Sequence, residues 1–371
     1  MKAFLRRILW FILRFIPLKN IILLESSPTL ADNTGALFKR MLELGWNKKY
    51  KFVWVSNDGI TSNDYENTVF IARTDSLKLF LYRCVAKMII DCNQQLLSLN
   101  PKTVHIYLAH GSSIKSVKSY YFCNSTTDYV LCQSEYFSPI DADELHVRED
   151  QLVICGYPRN DELFSDNADL PAIFGKFSKY VVWYPTFRQG KSAGRKHSSI
   201  SMPVIHNAEI AEKINDAAKA LDILIIVKPH PVQDVSLIKD LGLSNICFID
   251  NSLFDNNGIT SYEFVAKTDA LITDYSSIFC DYLLIDKPIG LTFEDFDEYS
   301  KTPGLAVEPE VLTCCSEMLY TAEDFTKFLN HIANGDDVFK TERDRIKALM
   351  NKYTDGHSSD RVIDFISSKL H

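Results

Sequence analysis

Short apolar runs alternate with helical stretches along most of this 371-residue chain. Residues 223–227 and 270–273 are apolar runs of strand length, and residues 34–44 have the spacing of a helix that ends at Gly45. Strands that alternate with helices are typical of a parallel sheet with helices on its faces. The sequence therefore predicts an α/β fold.

Two domains are expected, because a chain of this length is more than one hydrophobic core normally spans. The predicted strands fall into two series, at 21–25, 52–55, 69–72, 88–91, 104–109, 129–132 and 152–155, and then at 181–184, 223–227, 246–249, 270–273 and 289–292. A polar, proline-bearing stretch at 158–171 separates them. We predict an N-terminal domain over residues 20–157 and a C-terminal domain over residues 158–371, mostly helical after residue 321.

Several side chains that could do chemistry follow directly after predicted strands. They are His110, Thr186, Lys228, His230, Ser276 and Ser277. Ligands of open α/β sheets bind beyond the carboxyl ends of the strands. The topology therefore predicts that these residues converge on one crevice.

Residues 270–289 join a buried strand to a helix through the sequence Ile-Thr-Asp-Tyr-Ser-Ser. Apolar periodicity resumes at Ile278, which predicts Ser276 as the helix N-cap. The first turn of a helix presents free N–H groups and the positive end of the helix dipole, and two hydroxyls add donors. The segment therefore indicates either a phosphate site or an ordinary serine cap.

Composition and the absence of certain motifs argue against several classes of function. A net charge of −8 argues against general nucleic-acid binding, and the nine cysteines lie scattered, as is typical of buried thiols. The chain has neither a Gly-x-Gly-x-x-Gly fingerprint nor a Walker loop, and its histidines show no His-x-x-x-His pair. Asp141 and Asp143 lie in a polar stretch with Glu144, which predicts a solvated helix face. We expect no metal site and no cofactor.

The first sixteen residues carry four cationic and ten large apolar side chains. Their apolar run is far too short to cross a bilayer, which takes about 20 residues, and no small-residue cleavage site follows. Residues 1–19 are therefore predicted to include an amphipathic helix, which lies in the membrane interface through residues 1–16 or docks on the protein's own surface.

Five further motifs accompany the Asp-Tyr-Ser-Ser segment in a fixed order. They are Ala-His-Gly-Ser-Ser-Ile-Lys (109–115), Gly-Tyr-Pro-Arg-Asn-Asp (156–161), Tyr-Pro-Thr-Phe-Arg (184–188), Val-Lys-Pro-His-Pro (227–231) and Tyr-Thr-Asp-Gly-His-Ser-Ser-Asp-Arg (353–361). This set resembles the CDP-glycerol glycerophosphotransferase family, the teichoic-acid primases and polymerases and their capsule-making relatives. Ala109, Ser112 and Ser113 depart from that family's usual Trp-His-Gly-Thr-Pro-Leu-Lys. The resemblance implies a GT-B-like fold, in which two doubly wound Rossmann-type domains face a cleft and the C-terminus is helical.

The family's chemistry implies transfer of glycerol phosphate from CDP-glycerol to a hydroxyl of a glycan or lipid-linked acceptor, with release of CMP. His110 is the candidate general base, and His230, between two prolines, is the candidate for stabilising the leaving phosphate. The predicted substrate-binding residues are Gly111, Lys115, Arg159, Thr186, Arg188, Lys228, Ser276, Ser277, Asp281 and Arg361. The two guanidinium groups Arg159 and Arg188 suit bidentate phosphate contacts or surface salt bridges. Asp281 could accept bonds from donor hydroxyls or be a solvated carboxylate, and Arg361 could reach the cleft or tie down the last helix.

Other functions stay open at this point. CDP-ribitol is a second donor, a GT-B nucleotide-sugar glycosyltransferase or epimerase would share the architecture, and a scaffold of a polysaccharide complex would lack catalysis. For the transferase we expect peripheral association with the cytoplasmic face of the cell membrane.

Overall fold

Two parallel sheets organise the computed structural model, which describes residues 10–59, 64–186, 202–230, 233 and 235–370. Each sheet belongs to one of two compact units. The first unit comprises Met1–Ser112, Tyr120–Asp161 and Lys352–His371, and the second comprises Ser113–Ser119 and Glu162–Asn351.

The first unit has the strands β1 (Lys19–Glu25), β2 (Lys51–Ser56), β3 (Thr68–Ala72), β4 (Ala86–Asp91), β5 (Val104–Tyr107), β6 (Tyr129–Cys132) and β7 (Leu152–Ile154). Its helices are α1 (Asp32–Glu43), α2 (Ser76–Val85), α3 (Phe137–Leu145) and, near the end of the chain, α14 (Ser358–Lys369). The strands pair in the order β3-β2-β1-β4-β5-β6-β7, all parallel. The strand order reverses between β1 and β4, where Glu25 is paired with Asp91.

The second unit has the strands β8 (Lys179–Trp183), β9 (Ile223–Val227), β10 (Ile246–Phe248), β11 (Ala270–Thr273), β12 (Ile289–Leu291) and β13 (Glu317–Met318). Its helices are α4 (Leu170–Phe174), α5 (Ala208–Ala220), α6 (Ser236–Lys239), α7 (Asn251–Asn257), α8 (Ser261–Ala266), α9 (Ile278–Tyr282), α10 (Phe296–Tyr299), α11 (Glu310–Thr313), α12 (Ala322–Asn334) and α13 (Lys340–Met350). The parallel order is β10-β9-β8-β11-β12-β13, and it reverses between β8 and β11.

The twelve predicted strands are all present, with ends that differ by at most two residues. Strand β9 is buried throughout, as expected for a strand of a parallel sheet that is covered on both faces. Strand β13 was not predicted, because two residues give no apolar run to recognise. The predicted α/β class with a helical C-terminus is confirmed.

Local chemistry fixes the ends of helix α12, which packs on the second sheet's core. The Thr321 side chain accepts the N–H of Asp324, and the Asp324 carboxylate accepts the N–H of Thr321. This capping box satisfies donors that a helix start leaves open. At the other end Gly335 has φ of 74°, a conformation that glycine adopts without strain. Between these ends Phe325 and Leu329 are buried against Trp183 and its neighbours.

The division into units differs from the predicted boundary after residue 157. The chain leaves the first unit after Asp161 and returns to it at Lys352, whose N–H donates to the Gln133 carbonyl at 3.2 Å. Helix α14 then packs on α1, where Arg40 Nε lies 2.7 Å from Asp360 Oδ1. Long-range pairing of this kind leaves no local pattern in the sequence.

The solvated helix face predicted around Asp141 is wrong in part. Residues 137–145 form α3, but Asp141 and Glu144 are buried and only Asp143 is exposed. Asp141 Oδ2 lies 3.4 Å from Cys132 Sγ at the end of β6. Among the described residues, no helix is both long and apolar enough to span a membrane.

Candidate functional site

His110 of the first unit is held by a buried carboxylate. The residue follows β5, and its Nδ1 atom is hydrogen-bonded to Asp32 Oδ2 at the start of α1. The His110 side chain is 67% exposed, whereas that of Asp32 is 8% exposed. Because a carboxylate only accepts, Nδ1 carries a proton, and in the neutral imidazole Nε2 then presents a lone pair. This tautomer suits removal of a proton from an alcohol.

Charge keeps Asp32 ionised. Burial by itself would raise the pKa of Asp32, but His110 and then Arg159 outweigh it and hold that pKa well below its usual range. An Nη1 group of Arg159 lies 2.8 Å from Asp32 Oδ1 and donates to the His110 carbonyl at 3.2 Å. The Arg159 side chain is almost fully buried. Its guanidinium is therefore held in the Asp32 ion pair and is not exposed for a bidentate contact with phosphate.

Positive φ angles occur at Asp32 and on both sides of His110, its hydrogen-bond partner. Asp32 has φ of 58°, Ala109 has φ of 56°, and Gly111 has φ of 116°. The first two are costly for residues with a Cβ atom, and such costs concentrate at functional sites. At Gly111 the positive φ explains the glycine, and its predicted contact with a ligand stays a prediction.

Sequence reasoning missed three residues of this set, which are Asp32, Asn33 and Asn93. The Asn33 amide donates to the Ala109 carbonyl at 3.0 Å, and its Oδ1 accepts the Arg159 N–H at 3.2 Å. The Asn93 amide lies 3.0 Å from His110 Nδ1. The one feature that could have identified them is their position in the chain. They follow β1 and β4, the two strands between which the strand order of the sheet reverses.

In the second unit, Thr186 joins the ends of β8 and β11. The N–H of Thr186 lies 3.0 and 2.9 Å from the two Asp274 carboxylate oxygens, and its hydroxyl is bonded to Asp274 Oδ1. Asp274 is fully buried and was also missed. Thr186 therefore fixes the loop after β8 through the carboxylate that precedes the two serines.

Ser276 and Ser277 are half-buried at the start of α9. The N-cap is Ser277, one residue later than predicted, and its side chain makes no capping hydrogen bond. The preceding Tyr275 is buried, stacks on Tyr299 with ring centroids 3.7 Å apart, and donates to Asp295 at 3.0 Å. A rigid aromatic anchor thus holds the turn that presents both serines.

Two lysines of the second unit, Lys115 and Lys228, act electrostatically on His230. Lys115 lies in an extended segment that pairs with Leu305. Burial, then Lys115 and Lys228, lower the pKa of His230. Burial also lowers the pKa of Lys228, whose Nζ lies 5.7 Å from the Tyr184 ring centroid. Two cations whose charges oppose protonation of a third basic group mark a place where an anion is favoured.

Two of the predicted ligand residues have structural partners. Asp281 is fully buried on α9 and accepts the Tyr262 hydroxyl at 2.5 Å, so it is not a solvated carboxylate and offers no exposed surface. Arg361 stacks its guanidinium 3.8 Å from the Tyr353 ring centroid and pairs with Asp355. We assign Arg361 to anchoring α14.

Arg188 lies outside the described residues and stays a prediction. Within the described ranges, no group of three or more His, Cys, Asp or Glu side chains could hold a metal ion.

Comparison with known proteins gives a consistent result. The model of the family described as CDP-Glycerol:Poly(glycerophosphate) glycerophosphotransferase matches residues 8–368. The teichoic acid glycerol-phosphate transferase of Staphylococcus aureus is 24% identical over 318 residues, which cover 76% of each chain. The teichoic acid ribitol-phosphate polymerase TarK of the same organism is 27% identical over 255 residues, covering 64% of this chain and 44% of that protein.

A solved structure shares the fold. A variant of the wall teichoic acid polymerase TagF with CDPG superposes with a TM-score of 0.75 at 18% identity, covering 98% of this chain and 92% of that one. This likeness confirms the predicted GT-B-like fold class.

Proposed function

Because the chain belongs to the CDP-glycerol:poly(glycerophosphate) glycerophosphotransferase family, we propose that it transfers glycerol phosphate from CDP-glycerol to a hydroxyl of a lipid-linked or polysaccharide acceptor. The resemblance and the enzyme class predicted from the sequence are confirmed by the family match. The observation that carries the proposed chemistry is the exposed His110 side chain, bonded through Nδ1 to buried Asp32.

The first unit supplies the base. Nε2 of His110 takes the proton of the acceptor hydroxyl as its oxygen attacks the β-phosphorus of CDP-glycerol. The imidazolium that forms is stabilised by Asp32, which the Arg159 ion pair keeps charged. The anhydride P–O bond breaks, its electron pair stays on the phosphate of CMP, and the new phosphodiester carries the glycerol. No covalent enzyme intermediate is required.

The second unit supplies charge for the diphosphate. Lys115 and Lys228 are the cations, His230 becomes a third when it is protonated, and Ser276 and Ser277 add hydroxyl and backbone donors. Phosphoryl transfer depends mainly on positioning and on electrostatic stabilisation, which explains a set rich in donors and poor in nucleophiles. Protonated His230 would neutralise charge that grows on the leaving CMP.

A donor screen tests this proposal. Purified protein, a hydroxyl acceptor and either CDP-glycerol or CDP-ribitol are incubated, and CMP is measured by chromatography. We expect CMP from CDP-glycerol, and a roughly 10²–10⁴-fold lower turnover for His110→Ala. His357→Ala is the matched control, because His357 is also 67% exposed and also faces an aspartate of the first unit.

The outcomes separate the rival functions. CMP from CDP-ribitol alone makes the protein a ribitol-phosphate transferase. Activity with a nucleotide sugar instead of either CDP-alditol makes it a glycosyltransferase or epimerase. If no donor reacts and the protein still binds its membrane acceptor, the scaffold function replaces catalysis.

We further propose that the first unit docks on the cytoplasmic face of the membrane, where a lipid-linked acceptor would be reached. Residues 10–13 form a helical turn, with Phe11 61% and Phe15 70% exposed, and Arg14 lies over both rings. Exposed aromatic rings next to a cation are typical of an interfacial segment. Residues 1–9, with three of the four predicted cations, lie outside the described residues.

Helix α2 adds to this surface. Leu77 is 70% exposed and Leu81 55%, and Lys78 lies between them. The Asn100 amide joins α2 to the N-terminal segment, since it donates to the Cys84 carbonyl at 3.1 Å and to the Leu13 carbonyl at 3.0 Å. Apolar side chains interspersed with cations suit an anionic lipid surface.

A further inference from the structure

We propose that Asn93 is a positioning residue for the Asp32–His110 pair, and that buried Glu25 fixes Asn93 through its backbone, on the premise that His110 is the general base. Neither residue belongs to a motif of the sequence. Both lie where β1 and β4 end, at the reversal of strand order in the first unit.

The Asn93 side chain is locked in one orientation. Its Oδ1 accepts the N–H of Ser27 at 2.8 Å, which directs Nδ2 to the opposite side. That Nδ2 lies 3.3 Å from Asp32 Oδ2 and 3.0 Å from His110 Nδ1. Because the His110 proton is on Nδ1, the amide donates to Asp32 Oδ2, the same oxygen that His110 uses. Asn93 therefore fixes the direction from which Asp32 holds the imidazole.

Glu25 holds the backbone that carries Asn93. Its side chain is fully buried, and its Oε2 accepts the N–H of Asn93 at 3.3 Å and that of Gln94 at 3.0 Å. Its Oε1 accepts the Asn57 amide at 3.0 Å. Arg73 donates to the carbonyl of Gln94, in the peptide that follows, at 3.1 Å.

This arrangement leaves Asn93 little freedom. Both its backbone N–H and its side-chain amide bond to groups that have further partners, as a site needs when a small displacement of the base slows the reaction. A role in folding alone would not require the amide to face the Asp32–His110 pair.

Two substitutions test the proposal. Asn93→Ala should lower kcat about 10–100-fold while the donor KM changes less than about twofold. Asn93→Asp places a second carboxylate beside Asp32, so the pKa of His110 should rise by about one unit. That rise is measured in the free protein by NMR titration of 13C-labelled histidine, with His110→Ala assigning the resonance. The kcat of Asn93→Asp should recover as the pH is raised to 8.5.

Asn124→Ala is the matched control, because Asn124 holds the same loop by donating to the Leu96 carbonyl at 3.0 Å but lies away from His110. It should change neither kcat nor the His110 titration. The proposal is overturned if His110 titrates identically in Asn93→Asp and wild type, or if Asn93→Ala keeps the wild-type kcat. Misfolding of both Asn93 variants beside a folded Asn124→Ala would also overturn it. The NMR result stands even if no donor reacts, so failure of the proposed function is recognised separately.

Discussion

The backbone amide of Ser358 donates to Asp161 Oδ1 at 2.7 Å, and the next amide, of Ser359, donates to Oδ2 at the same distance. Asp161 thus satisfies the first two N–H groups of α14 with both oxygens of one carboxylate. Gly156 makes room for this contact, because a Cβ atom there would lie 2.5 Å from Ser358 Oγ. The two sequence motifs at 156–161 and 353–361 therefore contact each other, and the first caps the helix that begins in the second.

Removing this cap should loosen the last helix. Asp161→Ala should lower the free energy of unfolding by about 0.5–2 kcal/mol, the usual range for a lost cap, since two backbone donors lose their acceptor. It should also expose the segment after Lys352 to protease. Asp364→Ala is the control, because Asp364 is exposed on the same helix. Equal unfolding midpoints for the two variants in urea would contradict the capping role.

The serine pair should bind the donor and not merely start a helix. Ser276→Ala combined with Ser277→Ala should weaken CDP-glycerol binding, by about 1.5–3 kcal/mol for each bond lost to a charged oxygen. Calorimetry without acceptor measures the change. Ser244→Ala is the control, since Ser244 precedes the edge strand β10, whereas the two serines follow the interior strand β11. Unchanged affinity in the double variant would reduce both serines to structural roles.

Donor binding should take up a proton at His230. Burial, with Lys115 and Lys228, lowers the pKa of His230 in the free protein, whereas a bound diphosphate favours the imidazolium and raises that pKa. Affinity should therefore tighten as the pH falls through the raised value and level off below the lowered one. A difference of about one unit gives about tenfold in Kd. CDP-glycerol binding is measured between pH 8 and 5.5, in buffers of different ionisation enthalpy.

His230→Gln provides the comparison for proton uptake. This variant should bind more weakly at pH 6 and lose the pH dependence. Proton uptake that persists in His230→Gln would assign the titration to another group.

Buried Glu25 should make stability fall as the pH rises. Burial, and after it the Asp91 carboxylate, raise the pKa of Glu25 from 4.5 to about 7. A raised pKa means that the folded state keeps its proton to higher pH, so the stabilisation is complete below pH 4.5 and is lost as the pH rises from there through 7. The shift corresponds to at most about 3 kcal/mol. Urea unfolding at pH 5 and 8 should show a smaller loss for Glu25→Gln than for wild type, and parallel losses would refute the assignment.

The strands could be predicted because a parallel-sheet strand is a continuous apolar run, and this signal is local. The residues that orient His110 could not. Asp32 follows β1 by seven residues and Asn93 follows β4 by two, and no spacing links them until the strand ends lie side by side. Lys115 shares a sequence motif with His110, yet it pairs with Leu305 and belongs to the second unit.

Burial was the other quantity that the sequence did not reveal. Arg159 and Asp281 were predicted to meet ligand, yet both are buried and already paired, with Asp32 and Tyr262 respectively. A charged residue in a motif can instead hold other residues of the site in place without contacting the ligand. Only the depth of the side chain separates that role from direct binding.

Membrane docking should depend on Phe15 and Leu77, both 70% exposed. Replacing both with Glu removes apolar side chains worth about 1.5–3 kcal/mol each when buried and adds charge that anionic lipid repels. Wild type should co-sediment with anionic vesicles at low salt and be released as salt rises. The double variant should stay in the supernatant while turning over a soluble acceptor normally. Val338→Glu, at an equally exposed apolar residue of the second unit, should sediment like wild type. Wild type that stays in the supernatant at low salt would assign these side chains to a protein contact instead of the bilayer.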